Sequence, residues 1–225
     1  MNPNEPLITR RRALQLSFVI AGTALAQSIP SLLANDSARA PTPENVLGPF
    51  YPLIRSMEND ADLTTIRGHK RPAEGKIIHL MGRVLDLRGE PVKGARVEIW
   101  QANTHGRYAH PLDSNPAPLD PNFQGYAVQA TDKEGRYRFK TIKPGSYPAD
   151  VNYTRPPHIH FEVAGKKSRL VTQMFFPREA LNEKDPLFQM LGKDSPLAIG
   201  RILPPTSEVE PDSLMVIWDI ILYQR

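Results

Sequence analysis

Polar and apolar residues alternate along several short segments of this chain, and each such segment predicts a β-strand with one buried face. The clearest segment is HIHFEV, which begins at His158. Its apolar residues, Ile159, Phe161 and Val163, would face the core. Its histidines, His158 and His160, would then share the opposite face, with side chains close enough to bind one metal ion.

The same kind of pattern recurs along the later part of the chain. In one segment Tyr137 and Phe139 are predicted to point inward. A short turn at 87–91 separates the first two strands and favours an antiparallel hairpin. No stretch shows a long 3.6-residue period, although a helical turn is expected within 179–193. Residues 76–225 are therefore predicted to form an all-β domain, an antiparallel β-sandwich. The further strands are predicted at 77–86, 95–101, 126–131, 136–140, 170–176 and 214–223.

Residues 35–75 lack this pattern and are predicted to form an irregular N-terminal arm. The aromatic pair Phe50 and Tyr51 lies between prolines, which favours a segment draped over a core. A second irregular stretch, 102–122, follows the second predicted strand. Loops of that length in a compact domain are usually functional. The sandwich is therefore expected to carry its site on loops and strand ends.

Residues 1–34 have the features of an export signal. The basic stretch from Arg10 to Arg12 carries a twin arginine, and an apolar run from Leu16 to Ala26 follows it. That run is too short to span a bilayer comfortably. The segment is similar to the twin-arginine signals of bacterial proteins that are exported already folded, often with a cofactor loaded. A periplasmic or secreted protein is expected, with no membrane contact after cleavage; an uncleaved membrane anchor is the alternative.

Composition narrows the range of functions. Without residues 1–34, which contain three arginines and one glutamate, the net charge falls from +4 to +2. A nearly neutral chain without a basic stripe argues against a nucleic-acid partner. Cysteine is absent, so the fold must depend on its core rather than on disulfides. A metal site could use only nitrogen and oxygen donors.

Several residues could complete a metal site around the histidine pair. Tyr147 follows a Pro-Gly turn, Arg155 precedes His158 by three residues, and Tyr108 lies in the irregular stretch 102–122. A His-x-His pair on a strand could, on its own, be two solvated side chains. The two tyrosines and the arginine favour a metal site.

Four blocks of sequence resemble the intradiol ring-cleavage dioxygenases. They occur in that family's order, from about Gly48 to the C-terminus, and together they are highly specific. Within the family the likeness is greatest to the iron-bearing β subunit of the enzymes that cleave protocatechuate. The blocks are VEIWQAN with GRY at 97–108, APLDPNF at 117–123, TIKPGSYP at 141–148 and RPPHIHF at 155–161.

The resemblance implies a non-haem Fe(3+) site with Tyr108, Tyr147, His158 and His160 as metal ligands. Two phenolates are hard anionic donors and would stabilise the trivalent over the divalent ion. The implied reaction is intradiol cleavage of a catechol ring by O2, which gives a cis,cis-muconate. Tyr147 would also be catalytic, because it would leave the metal when catechol binds and accept one of the catechol protons.

The same resemblance implies roles for two further residues. Arg155 would stabilise the negative charge that develops on the ring, a role suited to a guanidinium that keeps its proton. Gln173 would orient Arg155 and the substrate. Both residues are therefore expected to be catalytic.

This chain also departs from the family's pattern. Ala149 stands two residues after Tyr147, where the enzymes that cleave protocatechuate carry a tryptophan, and the segment 177–194 does not align cleanly. In the heteromeric members a second subunit helps to shape the carboxylate site, so a homo-oligomer and a partner subunit both stay open. The expected substrate is protocatechuate or a related substituted catechol.

Two other functions stay open on the residues alone. The segment 82–101 resembles transthyretin-like sandwich domains, which are non-catalytic modules that bind sugars or partners. A zinc hydrolase could use His158 and His160, with His105 or His110 as a third ligand. Neither alternative gives a role to the two tyrosines.

Overall fold

The computed structural model of the chain describes residues 39–53 and 60–223. The export signal predicted at 1–34 lies outside these ranges, so it stays a prediction. The described residues form eleven strands, one short α-helix and two 3₁₀ helices. None of these helices is long and apolar enough to cross a membrane.

Most of the predicted strands are present, with boundaries close to those indicated by the sequence. The helical turn expected within 179–193 is present as α1, which has a 3₁₀ helix on either side, at Asn182–Lys184 and at Gly192–Ala198. The elements, in chain order, are β1 (Ile77–Asp86), β2 (Arg96–Trp100), β3 (Tyr126–Ala130), β4 (Arg136–Ile142), β5 (Tyr147–Asp150), β6 (Tyr153–Arg155), β7 (His158–Ala164), β8 (Arg169–Phe175), α1 (Pro186–Gln189), β9 (Arg201–Leu203), β10 (Leu214–Ile217) and β11 (Ile220–Leu222).

The strands form two main sheets and a separate hairpin. In the first sheet, β1 pairs with β4 on one side and with β10 and β11 along its two halves, and β9 extends the sheet beyond β10. The second sheet has the order β3-β2-β7-β8 and is antiparallel throughout. Strands β5 and β6 form the hairpin. The predicted antiparallel β-sandwich is confirmed, although β1 pairs with β10 and β11 in parallel.

The hairpin predicted for the first two strands is wrong, because β1 and β2 belong to different sheets. After the turn at 87–91 the chain makes a single bridge, Leu85 to Pro91, and then crosses to the second sheet. Two backbone hydrogen bonds flank that bridge, from the N–H of Asp86 to Glu90 and from the N–H of Val92 to Val84, both at 2.9 Å. The pairing stops there because β4 occupies the same edge of β1 from Arg83 back toward the start of the strand. The crossing places β2 beside β7, so residues far apart in sequence can share one face.

The C-terminal segment predicted as one strand at 214–223 is two strands. Between them, Trp218 accepts a hydrogen bond from the Tyr137 hydroxyl at 2.6 Å through its backbone carbonyl. Asp219 turns outward and accepts a hydrogen bond from the backbone N–H of Arg83 at 2.8 Å. A carboxylate within an apolar run must be paired or face water. Asp219 is both paired and exposed, and the strand is interrupted at this residue.

The main core lies between the two sheets. The predicted inward residues of β7, namely Ile159, Phe161 and Val163, are all 0% exposed. Tyr137 and Phe139 of β4 also face this core, as predicted. The opposite face of the second sheet carries His158 and His160 together with residues at matching register on β2 and β8; we call it the outer face. The residues opposite the histidines are Trp100, Gln173 and Phe175.

The outer face is covered by chain segments rather than by water. Within its described part, the arm at 35–75 contains no strand, in agreement with its predicted irregular character. Its residues Phe50 and Tyr51 pack on Trp100 and its neighbours. The arm does more than cover the surface, however, because Leu63 is completely buried in the main core. The covered outer face excludes water from the histidine pair.

Candidate metal centre

His158 and His160 lie side by side on β7 and are both 2% exposed. Their Nε2 atoms are 3.2 Å apart. His158 Nδ1 lies 2.7 Å from the backbone carbonyl of Pro156, which accepts a hydrogen bond from it and so leaves the lone pair on Nε2. His160 Nδ1 has no hydrogen-bond partner among the described residues. Both imidazoles therefore present Nε2 to the same point.

Tyr108 reaches this point from the irregular loop that follows β2. The side chain of Asn103 shapes the loop, because its Oδ1 accepts hydrogen bonds from the backbone N–H groups of His105 and Arg107. Asp113 then accepts one from the N–H of Tyr108 at 2.7 Å. These bonds direct the Tyr108 hydroxyl to within 3.5 Å of His158 Nε2.

Tyr147 arrives from a different loop, at the first position of β5. The turn before it is tied to the Tyr108 loop, since the N–H of Gly145 donates to the carbonyl of Asn103 at 2.9 Å. The rings of Tyr147 and Tyr108 lie edge to face with centroids 5.5 Å apart. The Tyr147 ring is also 5.7 Å from that of His158. The structure thus brings all four predicted metal ligands together from two loops and one strand.

The two imidazole donors have the spacing that a single metal ion requires. Metal–imidazole bonds of about 2.1 Å place two neighbouring donor atoms about 3.0 Å apart at a right angle, close to the observed separation of the two Nε2 atoms. No carboxylate completes the set, because no group of three or more histidine, aspartate or glutamate side chains in the described ranges could hold a metal. The donors are therefore two imidazoles and two phenols.

Burial sets the protonation of these donors. It lowers the pKa of His158 and of His160 well below the ordinary value, and the positive charge of Arg155 acts in the same direction. Burial also raises the pKa of Tyr108 well above its usual range and raises that of Tyr147, although the positive charge of Arg155 opposes both shifts. The imidazoles are therefore neutral and ready to bind a metal, whereas the phenols require a highly charged cation to lose their protons.

Arg155 lies at the edge of this cluster and is 5% exposed. Its Nη1 is 3.1 Å from His158 Nε2, and its Nη2 donates to Gln173 Oε1 at 2.8 Å. Gln173 donates in turn to the backbone carbonyl of Val46 in the arm at 2.9 Å. The structure therefore places Gln173 where it can hold the guanidinium, as the sequence resemblance implied.

Asp185 is a site residue that the sequence analysis missed. It is completely buried, and its Oδ2 accepts hydrogen bonds from Nε and Nη2 of Arg155 at 3.1 and 2.9 Å. Its Oδ1 accepts from the Tyr153 hydroxyl at 2.7 Å and from the first turn of α1. The dipeptide Asp185-Pro186 was a readable helix-start signal. Nothing in that signal indicates the pairing with Arg155.

A second set of missed residues supports His160. The indole ring of Trp100 stacks on its imidazole, with centroids 5.0 Å apart and planes 12° from parallel. Tyr51 packs edge to face against Trp100, and its hydroxyl donates to the buried carboxylate of Glu98 at 3.0 Å. Gly48 has φ +77° and would place a Cβ 3.0 Å from His160 Cε1. The arm therefore packs directly on the imidazole.

A cleft of about 790 Å³ opens beside the cluster. Among the four predicted metal ligands, Tyr147 alone lines it, and Arg155 lines it as well. Ala149, the residue that replaces a family tryptophan, forms part of its wall. A small molecule in this cleft would therefore meet Tyr147 before the other three donors.

The close approach of the two tyrosine-bearing loops can be tested at Gly106. This residue has φ +77°, and an added Cβ would lie 2.2 Å from the carbonyl oxygen of Ser146. Gly106→Ala is expected to lower the free energy of unfolding by at least about 2 kcal/mol more than Gly94→Ala, as measured by urea denaturation. Gly94 is the matched control, because it has φ +69° but no atom within 4 Å of the added Cβ. Equal losses in the two variants would contradict the close packing of the loops.

The two histidines named for the zinc alternative do not join the cluster. His105 is paired with Glu74 at 2.9 Å on the exposed side of its loop. His110 packs against the ring of Phe50, with centroids 5.7 Å apart. Since no third histidine, aspartate or glutamate completes a metal site within 39–53 and 60–223, the geometry does not favour the zinc hydrolase.

A β-sandwich that brings two tyrosines and two histidines to one buried point has the donor set expected of the intradiol ring-cleavage dioxygenases. The family model described as Dioxygenase matches residues 46–223. The chain belongs to this family, as the sequence blocks predicted.

Curated relatives agree with this assignment. The chain is 52% identical over 134 residues to a protocatechuate 3,4-dioxygenase beta chain from Burkholderia cepacia, an alignment that covers 58% of this chain and 57% of the relative. It is 33% identical over 139 residues to a hydroxyquinol 1,2-dioxygenase from Rhizobium sp., with 56% and 45% covered. The chain therefore spans about half the length of the curated relatives it matches.

Solved structures show the same fold. The dioxygenase domain of a dioxygenase carbohydrate-binding protein fusion from Streptomyces sp. SirexAA-E superposes with a TM-score of 0.63 over 83% of this chain and 100% of that domain. The two sequences are 24% identical, so this likeness shows the β-sandwich fold alone.

Proposed function

We propose that this protein is an Fe(3+)-dependent intradiol dioxygenase that cleaves a catechol ring with O2 and yields a cis,cis-muconate. The observation that carries the proposal is the convergence of two phenols and two imidazoles, without a carboxylate, beside a cleft. Tyr108, Tyr147, His158 and His160 would hold the metal. The family membership and the curated relatives named as ring-cleavage dioxygenases support this function.

A bound ferric ion would supply the Lewis acidity that keeps the phenols and the catechol oxygens deprotonated and would make the bound ring reactive toward O2. The chain's own residues perform the remaining tasks. Tyr147 lines the cleft, and its phenol oxygen would accept a proton from an incoming catechol hydroxyl. Tyr108 lies deeper, where its phenol would stay in place. His158 and His160 would bind through neutral Nε2 atoms without having to release a proton.

Arg155 would act on the ring rather than on the metal. Burial lowers its pKa, but the negative charges of Tyr147 and Asp185 more than offset this effect and the pKa is raised, so the guanidinium keeps its charge. A fixed cation in a site without water stabilises the negative charge that develops on the ring during the reaction. Gln173 and Asp185 hold that cation in place, so it need not reorient when the charge forms.

Several features of the proposal concern the whole protein. The relative from Burkholderia cepacia is named as a beta chain, which supports a partner subunit or a homo-oligomer for this chain too. Export by the twin-arginine route to the periplasm or outside the cell would follow from the signal predicted at 1–34. Among substrates, the likeness to the beta chain supports protocatechuate or a related substituted catechol.

The proposal predicts a coloured, oxygen-consuming protein. Purified protein is expected to contain stoichiometric iron, to show the broad visible band of tyrosinate-to-iron(III) charge transfer, and to consume O2 with catechols. Tyr147→Phe is expected to shift or remove the band and to slow turnover by at least about 100-fold. Visible spectroscopy, metal analysis and an oxygen electrode would measure these effects.

Tyr223→Phe is the control for that experiment, because Tyr223 is 58% exposed and lies outside the cluster. Its spectrum and turnover should match those of the unmodified protein. A colourless protein with full zinc occupancy would reject the iron site. A protein that binds no metal and consumes no O2 would favour the transthyretin-like binding module instead.

A further inference from the structure

The cleft beside the cluster carries an unbalanced negative charge. Its lining includes three charged side chains in the described ranges, Asp113, Asp150 and Arg155. Arg155 is the one cation among them. Because a charged ring substituent would lie in this cleft, the balance of these groups bears on which catechols can bind.

The charge of Arg155 is already compensated. The buried carboxylate of Asp185 accepts hydrogen bonds from two of its nitrogens at 3.1 and 2.9 Å. A third nitrogen, Nη1, lies 3.1 Å from His158 Nε2 and so is directed at the proposed metal position. Asp185 therefore balances much of the charge of Arg155, and the contact of Nη1 is directed at the position of the metal and the ring rather than at a carboxylate farther out in the cleft.

The two remaining aspartates carry the excess charge. Asp113 accepts hydrogen bonds from the backbone N–H groups of Tyr108 and Asn115, so its carboxylate is fixed in the cleft wall. Asp150 is exposed and accepts one from the N–H of Val151. Neither has a salt-bridge partner among the described residues. An anionic substituent would meet two carboxylates, and within the described ranges no cation other than Arg155 lines the cleft.

The rest of the wall is apolar and roomy. At about 790 Å³ the cleft lies in the range of sites that hold drug-sized ligands, so it has space for more than an unsubstituted ring. Ala149 contributes only a methyl group to the wall of the cleft. The apolar side chains that line it include Pro49, Phe50, Leu112, Pro116, Val151 and Leu187.

We infer that this protein acts on catechols whose ring substituent is uncharged and that it discriminates against carboxylated catechols such as protocatechuate. Asp150 and Asp113 are the specificity-determining residues. In protocatechuate the carboxylate lies at the end of the ring away from the two chelating oxygens, so it would project into the acidic cleft. The inference rests on the proposed function and, of the two substrate options named there, selects a related substituted catechol over protocatechuate.

A pair of ligands that differ in charge and little else tests the inference. They are 3,4-dihydroxybenzoate and 3,4-dihydroxybenzamide, which have similar size and both withdraw electrons from the ring. Calorimetry of the iron-loaded protein without O2 is expected to give a dissociation constant for the amide at least about 10-fold lower than for the acid. The difference should shrink in high salt, because Asp150 is exposed.

Charge reversal at the cleft supplies the second measurement. Asp150→Lys is expected to shift the ratio of the two dissociation constants toward the acid by about 10-fold or more. Asp212→Lys is the matched control, because it makes the same change in net charge at an exposed residue outside the cleft. Its ratio should equal that of the unmodified protein.

Equal or tighter binding of the acid, or a ratio that does not respond to Asp150→Lys, would overturn the inference. The O2 uptake of the same iron-loaded samples decides the proposed function separately. Uptake with both ligands but no preference for the amide rejects the inference and leaves the dioxygenase in place. Preferential binding of the amide without any uptake supports the inference about the cleft and rejects the dioxygenase.

Discussion

Alanine at His158 or at His160 is expected to lower the affinity for ferric ion by more than about 100-fold and to remove the visible band. Each imidazole presents Nε2 to the same point as its neighbour, 3.2 Å away. Without a carboxylate in the cluster, the three remaining donors cannot replace a lost nitrogen. Metal analysis after dialysis against a weak chelator, together with the visible spectrum, would measure the loss.

His105→Ala is the matched control, because it removes a histidine that the zinc alternative could have used. His105 is partly exposed and pairs with Glu74 outside the cluster. Its iron content and spectrum should be unchanged. If instead His105→Ala released the metal while His158→Ala did not, the centre would lie elsewhere in the molecule.

Local periodicity was sufficient to predict the face on which each histidine lies. In β7 a polar and an apolar residue alternate, and the pleat of a strand turns that alternation into two faces. The prediction that Ile159 and Phe161 fill the core is confirmed by their complete burial. It required no knowledge of which strands pair with β7, because side-chain direction is set within the strand.

Strand pairing was harder to predict, because partners are chosen by packing between distant segments. The sequence between β1 and β2 has the form of a hairpin turn, yet the pairing ends after the bridge at Pro91 because β4 occupies the same edge of β1 from Arg83 back toward the start of the strand. The break in the C-terminal strand was signalled by Asp219, whose carboxylate could not enter the core. A carboxylate at that position indicates that the side chain is paired or faces water. It does not indicate that the strand divides there.

The tyrosine ligands of the candidate site could be predicted from the family resemblance but not from the spacing of residues along the sequence. Tyr108 and Tyr147 come from loops whose shapes depend on bonds such as those of Asn103, and periodicity says nothing about such loops. Asp185 was missed for a related reason. Its role as a helix cap is local and readable, whereas its pairing with Arg155 is created by the folded chain.

Loss of the carboxylate at Asp185 is the second change expected to have a large effect. Asp185→Ala should lower the free energy of unfolding by about 3–5 kcal/mol, because it leaves the buried charge of Arg155 without its partner. It also removes the cap of α1 and the acceptor of the Tyr153 hydroxyl. Urea denaturation of the metal-free protein would measure the loss without a contribution from bound iron.

A double-mutant cycle separates the ion pair from the other contacts of Asp185. Arg155→Met combined with Asp185→Ala removes both charges, so the double variant should be more stable than the sum of the single losses predicts, by about 1–3 kcal/mol. Asp219→Ala is the control for Asp185→Ala. It removes an ion pair with Arg83, whose side chain is half exposed, so the expected loss in the free energy of unfolding is at most about 1 kcal/mol. Strict additivity in the cycle would show that Asp185 acts through the helix cap and Tyr153, and that Gln173 alone positions the guanidinium.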